Sequence, residues 1–278
     1  KIMTPFGDTV GLIDYCKVPS PKGVKFDGVN IRPLIEGMAK GWPDRILVTD
    51  SQRVRDPIKW RKSAVMTDQW RLVNGKELYD INADPGQKTN LAKRHPDVVS
   101  RLAKFYDAWW EEIVPTFGQP TAIYLGANAP LANPVALTSH DWIADGSTPW
   151  NQRHIRSAEK KPSNTGFWAV DVKSAGEYTV ELRRWPKEAD MAITAGLPAG
   201  ADVPGVRPFR AAPGKSFAAV KAHLKLGGQK LTLPVKPIDK GVTFKLNLEP
   251  GRDELWAKFT DAAGTPMGAF YAYVTRLQ

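Results

Sequence analysis

The densest set of chemistry-bearing side chains lies between residues 139 and 154. His140, Asp141 and Trp142 come first, then Trp150, Asn151, Gln152 and His154. Aromatic faces stack on sugar rings, while amide and imidazole groups hydrogen-bond hydroxyls or anionic oxygens. Two readings are open. In one these seven residues bind substrate. In the other Trp142 and Trp150 pack between domains and His140 is internally bonded. Ser139-His140-Asp141 has the residue types of an acyl-transfer triad. Neighbours in sequence seldom face one another, however, and a triad is defined by geometry. His95, His140, His154 and His223 lack the i, i+4 spacing of a helical metal site. Cys16 is the sole cysteine, which excludes an internal disulfide framework and a cysteine-based zinc site. It is expected to close a buried helix as a small hydrophobe. Arg183-Arg184-Trp185 offers a cation–π or sugar platform, or an ordinary exposed strand end.

The elements that position these groups follow from periodicity. Residues 64–67, 70–73 and 77–81 read as three short strands. Asn74-Gly75 is a two-residue hairpin signal, because both central residues of a type I′ turn need φ > 0. Asp84-Pro85-Gly86 forms a second turn, with Pro presetting φ and Gly accepting the left-handed position. Pro96 suits the first position of a helix. Val99, Leu102, Phe105, Tyr106 and Trp109 then recur at helical spacing, so Leu102, Phe105 and Trp109 are expected to face the sheet. Residues 46–48 fit a further strand. Residues 52–60 form a polar loop with Arg53, Arg55 and Lys59, either solvated or facing an anionic substrate. Residues 122–125 are a candidate strand within a Pro- and Gly-rich zone. From about residue 165 the period changes to two, with Tyr178, Val180 and Leu182 or Phe244, Leu246 and Leu248 on single faces. Ala175-Gly176, Gly227-Gly228, Pro250-Gly251 and Ala263-Gly264 punctuate these runs, the pattern of an antiparallel β-sandwich. The fold class is therefore α+β. The expected domains are residues 1–114, a linker and interdomain segment at 115–160, and a β-sandwich at 161–278.

Composition narrows the partners. The chain carries 39 Lys and Arg against 29 Asp and Glu, a net charge of +10, which favours anionic partners. No block of five or six like charges occurs, so a nucleic-acid arm is not expected. No run of about 18 apolar residues occurs either, so no membrane span is expected. The chain starts at Lys1 with no visible signal and reads as a fragment or a processed product.

One stretch carries a family resemblance. Ala64-Val65-Met66-Thr67-Asp68-Gln69-Trp70-Arg71-Leu72-Val73 is followed by Glu77-Leu78-Tyr79-Asp80, Asp84-Pro85-Gly86, Asn90-Leu91 and His95-Pro96-Asp97-Val98-Val99. Over residues 23–112 this resembles the end of the catalytic domain of the type I, formylglycine-dependent sulfatases of the alkaline-phosphatase-like superfamily. Thr138-Ser139-His140-Asp141-Trp142 and Trp150-Asn151-Gln152 are similar to a pair found ahead of the C-terminal sandwich in some of these enzymes. The resemblance implies a small antiparallel sheet and helix abutting a large α/β half. It also implies sulfate-ester hydrolysis on a carbohydrate or aryl substrate, and a periplasmic or secreted location. The partners it implies are an anionic sulfated substrate, a polysaccharide among the candidates, and the missing N-terminal catalytic half. In the complete enzyme it implies Ca2+, whose ligands are not in this chain. The nucleophile motif Cys-x-Pro-x-Arg is absent, since Pro19 follows Cys16 one position too late and no Arg comes next. No catalytic residue is carried over, and the chain alone is expected to be inactive. Alternatives are a carbohydrate-binding or structural β-sandwich module with scaffold, and a phosphohydrolase of the same superfamily.

Overall fold

The computed structural model describes residues 9–19, 23, 26, 28–38, 40, 42, 44–52, 54, 56–128, 133–144, 152–157, 165–205 and 212–277. The chain forms two compact units, one of Lys1–Gln52 and Pro57–Phe117, the other of Arg53–Asp56 and Gly118–Gln278. Both combine helix with mainly antiparallel sheet, and the fold is α+β with a β-sandwich in its second part.

In the first unit, helices α1 (Thr9–Tyr15) and α2 (Arg32–Ile35) precede an antiparallel sheet. Its strands β1 (Leu47–Asp50), β2 (Ser63–Met66), β3 (Trp70–Val73) and β4 (Glu77–Asp80) lie side by side in sequence order. The β3–β4 hairpin turns on Asn74 and Gly75 at φ 49° and 70°, both in the left-handed region that this turn demands. Helix α3 (Pro96–Ile113) then buries Leu102, Tyr106 and Trp110 with Val65, Leu72 and Leu78.

Two expectations about this unit are corrected. Phe105 is 40% exposed, and Trp109 only flanks the cluster. The buried stripe repeats every fourth residue through 102, 106 and 110. Phe105 sits one residue from that line, about 100° round the helix axis, and so turns outward. Cys16 is exposed rather than buried. It lies just beyond the end of α1, whose last residue Tyr15 is itself 42% exposed.

The run from Tyr79 to Leu91 holds itself together by local bonds. Asp80 Oδ1 accepts from the backbone N–H groups of Asn82 and Ala83, each at 3.0 Å. Asp84 Oδ2 accepts from those of Lys88 and Thr89 at 2.6 and 2.8 Å. Asn90 Oδ1 accepts from Leu78 and Ala92 at 3.1 and 2.9 Å. The polar residues of this motif thus satisfy loop N–H groups that would otherwise lack partners.

The second unit packs two sheets. One contains β5 (Ile123–Leu125), β7 (Phe167–Val172), β9 (Lys221–Leu226), β10 (Gln229–Pro234) and β12 (Gly251–Thr260) in the order β10-β9-β12-β7-β5, with β13 (Pro266–Gly268) beside β12. The other has the order β11-β8-β14-β6, from β6 (Val135–Thr138), β8 (Gly176–Arg183), β11 (Val242–Leu248) and β14 (Tyr271–Arg276). Residues 115–160, expected as a linker, therefore supply two strands, and β5 pairs with β7 in parallel. Trp168, Val170, Tyr178, Val180, Leu182, Leu224, Phe244, Leu246, Leu255, Phe259, Ala272 and Val274 fill the space between the sheets. They sit at alternate positions, as period two requires of two inner faces.

Candidate functional site

The seven residues singled out from sequence fall on different elements. His140 and Asp141 are exposed on a 3-10 turn, Ser139–Asp141. Thr138 Oγ1 donates to Asp141 Oδ2 at 3.3 Å and holds that turn. Trp142 follows directly but points the other way. It is 2% exposed, stacked on Phe270 and edge-on to Trp168 with centroids 5.4 Å away in both cases. Its ring is part of the sandwich core and has no free face for a sugar. Trp150 and Asn151 lie outside the described residues. Gln152 and His154 belong to helix α4 (Gln152–Ser157). His154 is half-buried, and the adjacent Ile155 anchors the helix in the core. Of the polar members described, His140 and Asp141 share one exposed turn.

A basic cleft on the small sheet was only partly legible. It measures about 680 Å³ and is lined by Lys59, Trp60, Arg61, Lys62, Asn74, Lys76 and Glu77. The β1–β2 loop supplies the first four and the β3–β4 hairpin the rest. Of the basic loop read from sequence, Lys59 lines the cleft, while Arg53 and Arg55 lie outside the described residues.

The wall of the cleft is held under strain. Trp60 and Lys62 adopt φ 64° and 53°, a conformation rare for large side chains and costing on the order of 1–3 kcal/mol each. Three contacts hold Trp60 there. Its ring stacks on Tyr106 with centroids 3.8 Å apart. Its N–H donates to the Tyr106 hydroxyl at 3.1 Å. The same ring covers Gly75 so closely that a Cβ there would come within 2.9 Å of it. Gly75 is therefore required twice, by its positive φ and by the ring above it.

Beneath Trp60 lies a polar cluster. The Tyr106 hydroxyl donates to Asp50 Oδ2 at 3.1 Å, and Gln52 Nε2 donates to the same oxygen at 3.2 Å. Gln52 also clamps Ile58, accepting from its N–H at 2.8 Å and donating to its carbonyl at 2.7 Å. Burial raises Asp50 above the ordinary carboxylate range and pushes Tyr106 up to about 12. These groups shape the loop from below and do not line the cleft.

The cleft's own charges are asymmetric. Lys59 is bound to Asp107 at 3.0 Å and Glu111 at 3.5 Å, and the Asp107 bond first of all holds its pKa above the ordinary lysine value. Arg61, Lys62 and Lys76 are exposed, with Glu77 the carboxylate lining the same cleft. The arrangement can bind an anionic group against an aromatic wall. No Ser, Thr, Cys or His is among its lining residues. Among the described residues no group of three or more His, Cys, Asp or Glu side chains is set to hold a metal ion. Among them, too, no helix is long and apolar enough to cross a membrane.

No family model matches the chain, and no curated protein does. Among solved structures it is similar to a ruminal GH26 endo-beta-1,4-mannanase, at a TM-score of 0.27 and 14% identity over 52% of this chain and 26% of that one. A likeness of that size carries no argument about fold or activity.

Proposed function

We propose that this chain is the C-terminal portion of a sulfatase of the alkaline-phosphatase-like superfamily, serving hydrolysis of sulfate esters on carbohydrate or aryl substrates. The reading rests on the resemblance over residues 23–112. The observation that carries it furthest is the cationic cleft of Arg61, Lys62 and Lys76 beside Trp60, on the small sheet that contains the resembling residues. A sulfate ester is anionic throughout its reaction, and cations near it stabilise charge on its oxygens. The formylglycine nucleophile and the calcium ligands belong to the preceding α/β half, so this chain contributes binding and not bond cleavage.

The test is to express the sequence encoded upstream of Lys1 together with this chain and to assay an aryl sulfate and an aryl phosphate side by side. Turnover of the sulfate by the long protein, with none by the 278-residue chain, is expected. Turnover of phosphate alone by the long protein, or of sulfate by the purified short chain, would overturn the reading. In the long protein Arg61→Ala and Lys62→Ala should raise KM more than they lower kcat, because both side chains line the cleft that would hold the anionic group.

A further inference from the structure

The sandwich turns two faces outward, and they treat lysine differently. On the four-stranded sheet and its flanking loops, three lysines have acidic partners. Lys245 meets Glu177 at 3.8 Å, Lys187 meets Glu181 at 2.9 Å, and Lys240 meets Asp190 at 2.6 Å. On the larger sheet the outward positions of β9, β10 and β12 include Lys221, His223, Lys225, Lys230, Trp256 and Lys258, with Glu254 the carboxylate beside Trp256. All four lysines are exposed, and among the described residues none forms an ion pair.

Register places them in rows. Lys230, Lys225 and Trp256 stand side by side across three strands, and Phe167 completes the row. The next row reads Thr232, His223, Lys258. Neighbouring strands are about 4.8 Å apart and rows on one face roughly 7 Å apart, so the five basic groups occupy one compact field. Lys225 and Lys230 are directly opposite, an arrangement that like charges destabilise. Protection of a sheet edge would account for Lys230 on the outer strand β10. It does not account for Lys221, Lys225 and Lys258, which lie on the interior strands β9 and β12.

The tryptophan is set as a platform. Trp256 is 38% exposed. Its Nε1 donates to Glu254 Oε2 at 2.9 Å and its ring leans on Phe167 at 4.9 Å, which fixes its plane. At the far end of the field the surface dips into a hollow of about 420 Å³ lined by Lys221, His223, Lys258, Thr260, Asp261 and their neighbours. His223 is oriented there from both sides, with Nδ1 3.0 Å from Thr232 Oγ1 and Nε2 2.9 Å from Thr260 Oγ1. Burial, and then Lys258 and Lys221, lower its pKa.

We propose that this face of the larger sheet, with Lys221, Lys225, Lys230 and Lys258 on β9, β10 and β12 and Trp256 at the margin toward β7, is a binding site for a sulfated polysaccharide. Lysines without carboxylate partners supply charge complementarity to a chain bearing regularly spaced sulfates. A fixed, half-exposed indole supplies the apolar surface on which a sugar ring stacks. Duplex nucleic acid would answer to the same charge, but its bases are already stacked and leave no ring face for an immobilised indole. The proposal stands on this face alone and does not depend on the sulfatase reading.

The probe is size-fractionated dextran sulfate, titrated calorimetrically against the 278-residue chain, with neutral dextran and a short DNA duplex as comparators. Binding of dextran sulfate but not of neutral dextran is expected. Lys225→Ala/Lys258→Ala should weaken it about tenfold or more, and should flatten its salt dependence by roughly two counter-ions. Lys240→Ala/Lys245→Ala removes the same charge from elsewhere on the sandwich and should change little. Trp256→Ala should weaken dextran sulfate more than DNA, and Trp256→Phe should recover part of the loss. Bound polyanion should raise the pKa of His223, read from its imidazole resonances. No binding at low salt, equal losses in the two lysine doubles, a DNA affinity as high as that for dextran sulfate with Trp256→Ala harmless, or an unmoved His223 would each overturn the proposal.

Discussion

Each unit buries an ionisable group where a loop crosses its sheet, and the two solutions differ. In the first unit Asp50 accepts from Tyr106 and Gln52 while Tyr106 accepts from Trp60. In the sandwich Arg184 is 0% exposed and, among the described residues, has no carboxylate partner. Its Nη1 donates to the carbonyls of Ile193 and Ala195 at 3.4 and 3.1 Å, and its Nη2 to those of Ile155 and Lys215 at 3.4 and 2.5 Å. The Trp185 ring lies 4.4 Å from the guanidinium carbon. Burial lowers the Arg184 pKa to about 10, so the group stays charged at neutral pH. A carboxylate can shed the cost of burial by taking up a proton, and a guanidinium cannot shed its charge. Asp50 is therefore adjustable, whereas Arg184 is a fixed staple that joins α4 to the two halves of the β8–β9 crossing.

The comparison breaks first at Arg184. Arg184→Ala leaves four carbonyls without their donor and should cost about 3–5 kcal/mol in chemical denaturation. Arg184→Lys should recover less than half, because three donors on one nitrogen cannot span four carbonyls. A loss below about 1 kcal/mol for the alanine variant would mean that water replaces the guanidinium and that the staple is dispensable.

The apolar floor of the first unit gives the next effect. Leu102→Ala should cost about 2–5 kcal/mol. Phe105→Ala, on the outward face of the same helix, should stay within about 0.5 kcal/mol of the parent. Equal losses at both sites would contradict the stripe through 102, 106 and 110. Tyr106→Phe follows. It removes a donor to Asp50 and an acceptor for the Trp60 N–H, and should cost about 1–2 kcal/mol. The same change should loosen the Trp60 loop, measurable as faster amide exchange at Trp60 with exchange at Val65 unchanged.

Much of this was legible in the residues, and the failures have physical causes. Asn74-Gly75 marked its hairpin because few residues accept two successive positive φ values. The alternation of Tyr178, Val180 and Leu182 marked an inner face because a strand has period two. Helical period alone could not choose between Phe105 and Tyr106, which are adjacent and both aromatic. The choice depends on the Trp60 ring and Asp50, which reach Tyr106 from other parts of the chain. Trp142 looked like a sugar platform by composition, but a residue next to an exposed turn can still point into a core. For Arg184 the sequence leaves a cation–π platform and an exposed strand end open; the ring contact with Trp185 is local, but nothing local announces four carbonyls from three other segments. The lysine field was invisible for a similar reason, because strand order and not sequence sets Lys225 beside Trp256.

The smallest expected effect tests the adjustable half of the comparison. Burial raises the folded pKa of Asp50 above its ordinary value of 3.8, against the opposing bonds from Gln52 and Tyr106. The folded state then holds this proton more tightly than the unfolded chain does. The stability Asp50 contributes is complete below pH 3.8 and is lost as pH rises through the raised folded value. Asp14 and Asp80 run the other way. Their pKa values are lowered, mainly by Asn30 for Asp14 and by the Ala83 N–H for Asp80, so their contributions are present above 3.8 and lost on acidification. The total pH curve mixes these opposite slopes, and only a difference isolates Asp50. Asp50→Asn keeps an oxygen that can accept from Tyr106 and removes the titration. Urea midpoints of variant and parent, taken from pH 3 to pH 7, should shift relative to one another in the variant's favour as pH rises. The site is only partly shielded from solvent, so the swing should be under about 1 kcal/mol. A difference that stays flat, or that favours the parent at pH 7, would show that Asp50 is already accommodated as a charge, like Arg184, and the two units would then have solved the problem in the same way.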